Sequence, residues 1–317
     1  MDALIGYSGF VGGQLQRQHS FTSLFNSSNI DQVGAAEFDT VVCAAAPGSM
    51  FEANMLPDVD LSKVNALIEH LETIKTKRFV LISSIAVLAN FAAHDDENTS
   101  AFQTKLAYGK HRHVLEAFCE DHFDDCLVIR LPALFGEGLR KNFIFDLINP
   151  LPTLLTTDKL SALRNDLGSI EAELLDKIYS PDPNTGMQKI DRAELAKDKN
   201  RKSLETAVTE LGYSSTHFHN RETTYQYYDM KRLWSDITIA EKENLKILHL
   251  AMPPLRAADI HKRLLGFDMP ETNARLHKED MYTAYAHLWG RNGPYLDDAE
   301  TIMSQLKFFY RKECKNR

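Results

Sequence analysis

Short apolar runs alternate with amphipathic stretches through the first 131 residues of the chain. The apolar runs are residues 3–5, 23–25, 40–46, 78–83 and 126–131. Helical stretches with one apolar face lie between several of these runs, at residues 10–18, 61–75 and 107–120. This alternation predicts an α/β fold with a parallel sheet that helices cover on both faces.

The pattern changes after residue 136. Polar-faced helices are predicted at residues 158–178 and 192–211, with the turn-rich segment 180–186 between them. Three more elements follow, namely a strand at 246–250, a helix at 257–264 and an amphipathic terminal helix at 297–311.

These elements predict two regions. We expect a first α/β domain at residues 1–136. Residues 137–317 form mainly a smaller, mostly helical region with a helical insertion at about 155–215, and some of its segments return to the first core.

A glycine loop follows the first apolar run and directly precedes a predicted helix, with the sequence Gly6-Tyr-Ser-Gly9-Phe-Val-Gly12. In dinucleotide-binding folds, the first such glycine permits a tight turn, the second lets the backbone approach a pyrophosphate, and the third packs the helix on the strand. The loop therefore predicts a doubly wound Rossmann-type domain. The expected cofactor contacts are Gly6, Ser8, Gly9, Phe10, Val11 and Gly12. The alternative is a glycine-rich turn that binds no ligand.

The residues after the second strand indicate which dinucleotide is expected. An Asp or Glu usually follows this strand and contacts the ribose hydroxyls, but here Phe25 is followed by Asn26 and Ser27. Asn26 and Ser27 offer hydrogen bonds to a ribose, whereas a 2′-phosphate requires a cation. We therefore expect NAD. Arg17, on the first helix, is the one nearby cation that would allow NADP instead. The alternative is that Arg17 is an ordinary exposed charge on that helix.

Charge and hydropathy exclude some classes of function. The 317-residue chain has a formal net charge of -8 and no basic block beyond residues 311–317, so no nucleic-acid partner is expected. Apolar residues never run long enough to span a membrane, and Gly6 breaks the first apolar run at once. Neither a membrane span nor a signal peptide is predicted.

Cysteines and histidines predict no disulfide framework and no metal site. The four cysteines lack CxxC spacing, which favours a reducing compartment and a cytoplasmic protein. Paired histidines occur without Cys, Asp or Glu at ligand spacing, so they are interpreted as structural or surface residues. They are His111, His113, His217 and His219.

Five segments together resemble the extended short-chain dehydrogenase/reductase superfamily of NAD-dependent epimerases and dehydratases. They are the glycine loop, Val42-Cys-Ala-Ala-Ala46, Phe79-Val-Leu-Ile-Ser-Ser84, Tyr108-Gly-Lys-His-Arg-His-Val-Leu-Glu116 and Ile129-Arg-Leu-Pro-Ala-Leu-Phe-Gly136. Their order and spacing are similar to those of the superfamily's cofactor strands, active-site serine and YxxxK helix. The resemblance implies further cofactor contacts from Ala44, Ala45 and Pro132, and from Tyr108 and Arg112.

The resemblance also implies catalytic roles. The chemistry needs a phenol that exchanges a proton with a substrate hydroxyl while hydride moves to or from nicotinamide, a hydroxyl on the same oxygen, and a nearby cation. Tyr108, Ser84 and Arg112 would fill these roles, although arginine replaces the customary lysine and makes the motif YxxxR. Arg112 keeps a permanent charge and can still reach ribose hydroxyls. The alternative is a helix-face ladder of Tyr108, Arg112 and Glu116 with an ion pair.

A substrate side is implied beyond the first domain. Arg140 and Asn142 lie in a segment similar to one that contacts a diphosphate, and an ordinary solvated cluster is the equal alternative. Tyr228 is a candidate for a sugar pocket, or for the core between domains.

The leading hypothesis is an NAD-dependent epimerase, dehydratase or reductase that acts on a nucleotide-activated sugar. The alternative is a dinucleotide-binding sensor or scaffold with impaired catalysis, as Asn26 and Arg112 also allow. The resemblance implies a homodimer that pairs through the helix carrying Tyr108.

Overall fold

Twelve strands and twelve α-helices occur in the computed structural model, which describes all of residues 1–317. The strands are β1 (Asp2–Ile5), β2 (Ser23–Phe25), β3 (Glu37–Cys43), β4 (Lys75–Ser84), β5 (Cys126–Leu131), β6 (Ala133–Phe135), β7 (Leu154–Leu155), β8 (Tyr179–Pro181), β9 (Gln188–Ile190), β10 (Thr224–Asp229), β11 (Ile247–His249) and β12 (Pro254–Arg256).

The helices are α1 (Phe10–Gln18), α2 (Met50–Met55), α3 (Pro57–Leu71), α4 (Ala107–His122), α5 (Phe143–Ile148), α6 (Thr157–Asp166), α7 (Ser169–Ile178), α8 (Arg192–Lys197), α9 (Arg201–Glu210), α10 (Leu233–Lys242), α11 (Ala257–Leu265) and α12 (Ala299–Lys315). Short 3-10 helices lie at Ile30–Ala35, Ile85–Val87, Ser215–Phe218, Met230–Arg232 and Ala286–Trp289. No helix combines the length and the apolar character needed to cross a bilayer.

The chain divides into two units. The first unit comprises Met1–Leu139, Thr224–Leu255 and Lys278–Gln305. The second unit comprises Arg140–Thr223, Arg256–His277 and Leu306–Arg317.

Six strands of the first unit form one parallel sheet in the order β11-β5-β4-β3-β1-β2. The order reverses between β1 and β3, since β2 lies on one side of β1 and the later strands follow on the other. In open α/β sheets, ligands bind at the carboxyl ends of the strands beside such a reversal. The predicted Rossmann-type α/β fold is confirmed, and its topology directs attention to the residues that follow β1 and β3.

Helices α3 and α4 pack against each other, and their apolar residues join those of the sheet in one core. From α3 come Val64, Leu67 and Leu71, which share one helix face because of their spacing. Leu115 and Cys119 of α4 are one turn apart and enter the same core. Every residue of β5 is buried, as expected for a strand inside a parallel sheet covered on both faces.

The second unit has an apolar core of its own, formed by Leu151, Leu155, Leu163, Leu174, Leu175, Ile178, Tyr179, Ile190, Leu195, Leu204 and Val208. The sequence predicted one helix at 158–178, but α6 ends before Leu167, and Gly168 is the N-cap of α7. The helix predicted at 192–211 is likewise divided, into α8 and α9.

The turn-rich segment at 180–186 belongs to a β-hairpin that the sequence prediction missed. Strands β8 and β9 pair antiparallel, and β7 adds to the other side of β9. Gly186 has φ of +68° in the connecting turn, a conformation that favours glycine. Pro181 and Pro183 made this segment resemble a loop, but Pro181 ends β8 at an edge of the small sheet, where proline is tolerated.

Candidate functional site

The turn after β1 is folded tightly against the end of β3. Gly6 has φ of +88°, and its N–H donates to the carbonyl of Phe25 at 2.7 Å. A Cβ on Gly6 would lie 2.6 Å from the carbonyl oxygen of Ala44 and 2.8 Å from the nitrogen of Ala45. Only glycine fits both the dihedral and the space. Ala44 and Ala45 therefore lie directly beside the glycine loop, where the strand order reverses.

The other two glycines of the loop differ in what surrounds them. A Cβ on Gly12 would lie 2.1 Å from the carbonyl oxygen of Gly6, so this glycine allows α1 to pack on the turn. A Cβ on Gly9 would meet only that same oxygen, at 3.3 Å. Gly9 is also the N-cap of α1 and provides no side-chain cap. The first N–H groups of α1 are thus free of a side-chain acceptor, the arrangement that binds an anion.

The residues after β2 form a turn that is closed by hydrogen bonds between its own residues. The Asn26 side-chain oxygen accepts from the Ser28 N–H at 2.9 Å and from the Ser28 hydroxyl at 2.6 Å. Ser27 is exposed in this turn. Arg17 donates to the carbonyl of Gly13 at 2.9 Å, and lies beside Glu137. The Asn26 carboxamide can still offer its N–H groups to a ribose.

Ser84 and Tyr108 come from elements that contact each other. Ser84 ends β4, and its Oγ accepts from the N–H of Ala86 at 3.2 Å. Gly109, next to Tyr108, packs on this turn so closely that a Cβ would lie 1.9 Å from the Ala86 carbonyl oxygen. The start of α4 therefore lies against the turn that Ser84 caps, which the sequence spacing alone did not show.

Arg112 is buried, with 2% of its side chain exposed, and its ion-pair partner is Asp60 of α3. Its Nη2 lies 2.9 Å from Asp60 Oδ1, and it also donates to the carbonyl of Pro47. Its Cζ lies 4.6 Å from the centre of the Tyr108 ring. The alternative of a ladder with an Arg112–Glu116 ion pair is wrong, since Glu116 pairs with Arg130 instead.

Sequence reasoning missed three side chains that hold the start of α4. Asn54 Oδ1 accepts from the Tyr108 N–H at 3.0 Å, and Gln103 Oε1 accepts from the N–H groups of Lys105 and Leu106. Asp60 is the third. The available signal was a carboxylate on the apolar stripe of α3, where an unpaired charge would be costly.

A buried polar network holds α4 to the sheet at Glu116. Glu116 Oε2 accepts from Arg130 Nη2 at 2.8 Å, and Arg130 Nη1 lies 3.0 Å from His249 Nε2. The backbone N–H of His249 donates to Glu97 Oε1 at 2.8 Å. Burial alone would raise the pKa of Glu116, but the nearby His113 ring and the hydrogen bonds from Arg130 outweigh burial and lower this pKa. Glu116 is therefore ionised and holds α4, the helix that carries Tyr108 (the tyrosine helix), to the sheet.

The expected substrate residues occupy different surroundings. Arg140 is exposed and Asn142 is the N-cap of α5, both in the second unit. Tyr228 belongs to the first unit, is fully buried in β10, and donates its hydroxyl to Asp236 at 2.7 Å. The structure thus gives Tyr228 a place in the core and corrects its expected place in a sugar pocket. Pro132 is buried between β5 and β6.

Comparisons with known proteins support the fold. The model of the NAD dependent epimerase/dehydratase family matches residues 14–153. No curated protein matches the chain.

Solved structures match over nearly the whole chain at low identity. RMD from Pseudomonas aeruginosa complexed with NADPH is 14% identical with a TM-score of 0.61, over 100% of this chain and 99% of that one. UDP-N-acetylglucosamine 4-epimerase from Methanobrevibacter ruminantium, in complex with UDP-N-acetylmuramic acid, is 10% identical with a TM-score of 0.62, over 100% and 98%. UDP-glucose 4-epimerase from Thermotoga maritima, with UDP-glucose, is 12% identical with a TM-score of 0.61, over 100% and 99%. These likenesses show the fold.

Replacement of Glu116 by glutamine tests the buried network. We expect Glu116→Gln to lower the free energy of unfolding by about 3–5 kcal/mol, because it leaves Arg130 without its charge partner. Glu120→Gln, one turn further along α4 and exposed, should change it by under about 0.5 kcal/mol. Urea unfolding at pH 7 measures both variants.

The same two proteins, wild type and Glu116→Gln, test how the free energy of unfolding depends on pH. The pKa of Glu116 is lowered in the folded state. Its contribution to the free energy of unfolding is therefore fully present above the unfolded-state pKa of about 4.3, and is lost as the pH falls through the folded-state pKa. The stability gap between wild type and Glu116→Gln should therefore narrow below about pH 4. A gap that stays constant down to acid unfolding would contradict an ionised Glu116.

Proposed function

Because the model of the NAD dependent epimerase/dehydratase family matches residues 14–153, we propose that this chain is an NAD(P)-dependent epimerase, dehydratase or reductase acting on a nucleotide-activated sugar. The observation that carries the proposal is the shared edge of the sheet: the open glycine turn follows β1, and Ser84 and the start of α4 meet at the end of β4. We propose a dinucleotide site at this edge, with Ser84 and Tyr108 beside it.

The residues of the first unit fit a dinucleotide. Gly9 leaves room beside the N–H groups of α1, where Gly6, Ser8, Phe10, Val11 and Gly12 would hold the pyrophosphate. Asn26 and Ser27 would reach a ribose, Ala44 and Ala45 would line the adjoining strand end, and Pro132 would follow the next strand. The bound nicotinamide would supply hydride transfer.

Ser84 and Tyr108 supply the proton chemistry. The Ser84 Oγ already accepts a hydrogen bond from Ala86, which leaves its own O–H free to donate to a sugar oxygen. The phenol of Tyr108 exchanges a proton with the same oxygen as hydride moves. Arg112 lies against the ring of Tyr108 but is already paired with Asp60. Two of its five N–H donors have no partner within the chain, and one of them is the buried Nε–H, so a contact from Arg112 to a ribose stays a prediction.

We propose NAD as the cofactor, with NADP as the alternative. The turn after β2 carries no cation for a 2′-phosphate, and Arg17 is turned toward Gly13 and Glu137. The structurally similar RMD holds NADPH, which keeps the alternative open.

A nucleotide sugar is the proposed substrate class. Two structurally similar epimerases are complexed with UDP-N-acetylmuramic acid and UDP-glucose. In this chain, Arg140 and Asn142 offer a cation and a carboxamide to a diphosphate. Asn142 has φ of +105°, so its backbone is held in a conformation that non-glycine residues rarely adopt.

A sensor or scaffold is the second candidate function. The pairing of Arg112 with Asp60 favours it, since a cation that is already neutralised stabilises a phenolate less. Such a protein would bind a dinucleotide and show no turnover that depends on Tyr108.

We also propose a homodimer, which exposed apolar side chains on α2, α3 and α4 support. These helices pack together and expose Met50, Phe51, Met55, Val59 and Val114. Sedimentation velocity of the intact chain should show a species of twice the 36.0 kDa monomer mass. A monomer at all concentrations would refute this proposal.

Replacement of Tyr108 by phenylalanine tests the catalytic proposal. With NAD or NADPH and a panel of UDP-glucose, UDP-N-acetylglucosamine and a dTDP-4-keto sugar, chromatography of the sugar products follows turnover, and absorbance at 340 nm follows it where the dinucleotide is consumed. We expect Tyr108→Phe to lower the rate by about 10²-fold or more, since a positioned acid/base contributes this much. NADH affinity should stay within about threefold, because the phenol is not needed to hold the pyrophosphate.

The matched control is Tyr213→Phe, which removes a phenol bonded to Asp166 in the second unit. It should leave the rate unchanged. Full activity in Tyr108→Phe would contradict the assigned acid/base. Dinucleotide binding without turnover of any sugar in the panel would favour the sensor or scaffold.

A further inference from the structure

Asp60 is a carboxylate on the buried face of α3. Its side chain is 6% exposed and lies on the stripe that also carries Val64, Leu67 and Leu71. Removal of a carboxylate from water is strongly unfavourable unless the group is paired and hydrogen-bonded. An acid at this position therefore needs specific partners, and α4 provides them.

Both carboxylate oxygens are occupied by consecutive residues of α4. Oδ1 accepts from Arg112 Nη2 at 2.9 Å. Oδ2 accepts from His111 Nδ1 at 2.9 Å and from Arg112 Nη1 at 3.4 Å. His111 is itself buried, with 7% of its side chain exposed. Asp60 thus joins α3 to the first turns of the tyrosine helix at two side chains.

The Arg112 guanidinium extends this connection to Tyr108. It donates to the Pro47 carbonyl in the segment after β3, and its Cζ lies 4.6 Å from the centre of the Tyr108 ring. A planar guanidinium fixed by a carboxylate and a carbonyl has little freedom to turn. The ring that packs on its face is therefore held in one direction, with a cation–π contribution.

The pairing also changes what Arg112 does electrically. A carboxylate at 2.9 Å offsets much of the positive charge that Tyr108 would otherwise experience from the guanidinium. Arg112 in this pair is better suited to hold the ring than to activate the phenol.

We propose that Asp60 is a positioning residue, which fixes Arg112 between Pro47 and the Tyr108 ring and so sets the direction of the phenol. The chemical role of that phenol rests on the proposed function. The contacts from Asp60 to Tyr108 involve only the chain's own atoms, so they can be tested without substrate or cofactor.

Fluorine NMR of the full chain labelled with 3-fluorotyrosine tests the proposal. Tyr108→Phe identifies the Tyr108 signal among the eleven tyrosines. Asp60→Asn, which keeps the size of the side chain and removes its charge, should move the Tyr108 signal by more than its linewidth. Asp60→Glu, which restores the charge, should return it toward the wild-type position.

A second background tests whether Asp60 acts through Arg112. Arg112→Gln should move the Tyr108 signal by itself, and Asp60→Asn should then produce no further movement, because the link is already absent. Equal movement in both backgrounds would overturn the proposal. An unchanged Tyr108 signal in Asp60→Asn would overturn it as well.

Asp236 offers a matched control in the same unit. It is buried like Asp60 and pairs with Arg232, but its tyrosine partner is Tyr228. Asp236→Asn should move the Tyr228 signal and leave that of Tyr108 in place. Movement of both signals would mean that any lost buried aspartate disturbs the unit, which would count against a specific role for Asp60.

Kinetics separate this inference from the proposed function. With the sugar and dinucleotide that turn over in the Tyr108 test, Asp60→Asn should lower hydride transfer by roughly tenfold and change NADH affinity by less than about threefold, since misplacement of a reacting group affects rate more than binding. An unchanged rate would overturn the positioning role. If the fluorine signals behave as expected and NADH does not bind, the contact holds and the proposed function fails.

Discussion

The candidate site depends on how closely the turn after β1 approaches the end of β3. Gly6 meets the backbone of Ala44 at a distance that no side chain would allow, and Gly12 brings α1 against the same turn. These contacts place the uncapped start of α1 where the strand order of the sheet reverses. Backbone N–H groups that face open space at such a point are what a pyrophosphate requires.

Two buried ion pairs then fix the helix that carries Tyr108. Asp60 holds Arg112 at its first turns, and Arg130 of β5 holds Glu116 one turn further on. Each charge is removed from water, so each needs its partner, and the helix cannot shift without separating both pairs. Arg112 is therefore part of the structural framework of this chain. The ion pair with Asp60 explains why Arg112 keeps its charge while its guanidinium packs on the face of the Tyr108 ring.

The pattern of apolar runs predicted the parallel sheet and its helices because burial on both faces leaves short, uninterrupted apolar strands. The glycine spacing also located the turn after β1, since only glycine fits both the φ of Gly6 and its close approach to Ala44. The apolar pattern could not show that Asp60 meets Arg112, since 52 residues separate them and the contact depends on how α3 packs on α4. The sequence could not place Tyr228 for a similar reason. An aromatic-rich segment fits a core as well as a sugar pocket, and the hydrogen bond from Tyr228 to Asp236 is visible only in the structure. The break at Gly168 was missed because the polar face of the helix continues across it.

The most direct test of the account is a calorimetric titration of NAD, NADH, NADP and NADPH into three proteins: wild type, Gly9→Ala and Gly13→Ala. A Cβ on Gly9, the N-cap of α1, would lie 3.3 Å from the Gly6 carbonyl oxygen in the glycine loop, whereas a Cβ on Gly13 would have the flexible side chain of Arg17 as its nearest neighbour, at 3.5 Å. We predict that wild type and Gly13→Ala bind at least one dinucleotide with equal affinity and that Gly9→Ala binds it at least about tenfold more weakly. If none of the four binds to wild type, or if Gly9→Ala binds as tightly as wild type, the dinucleotide site is contradicted.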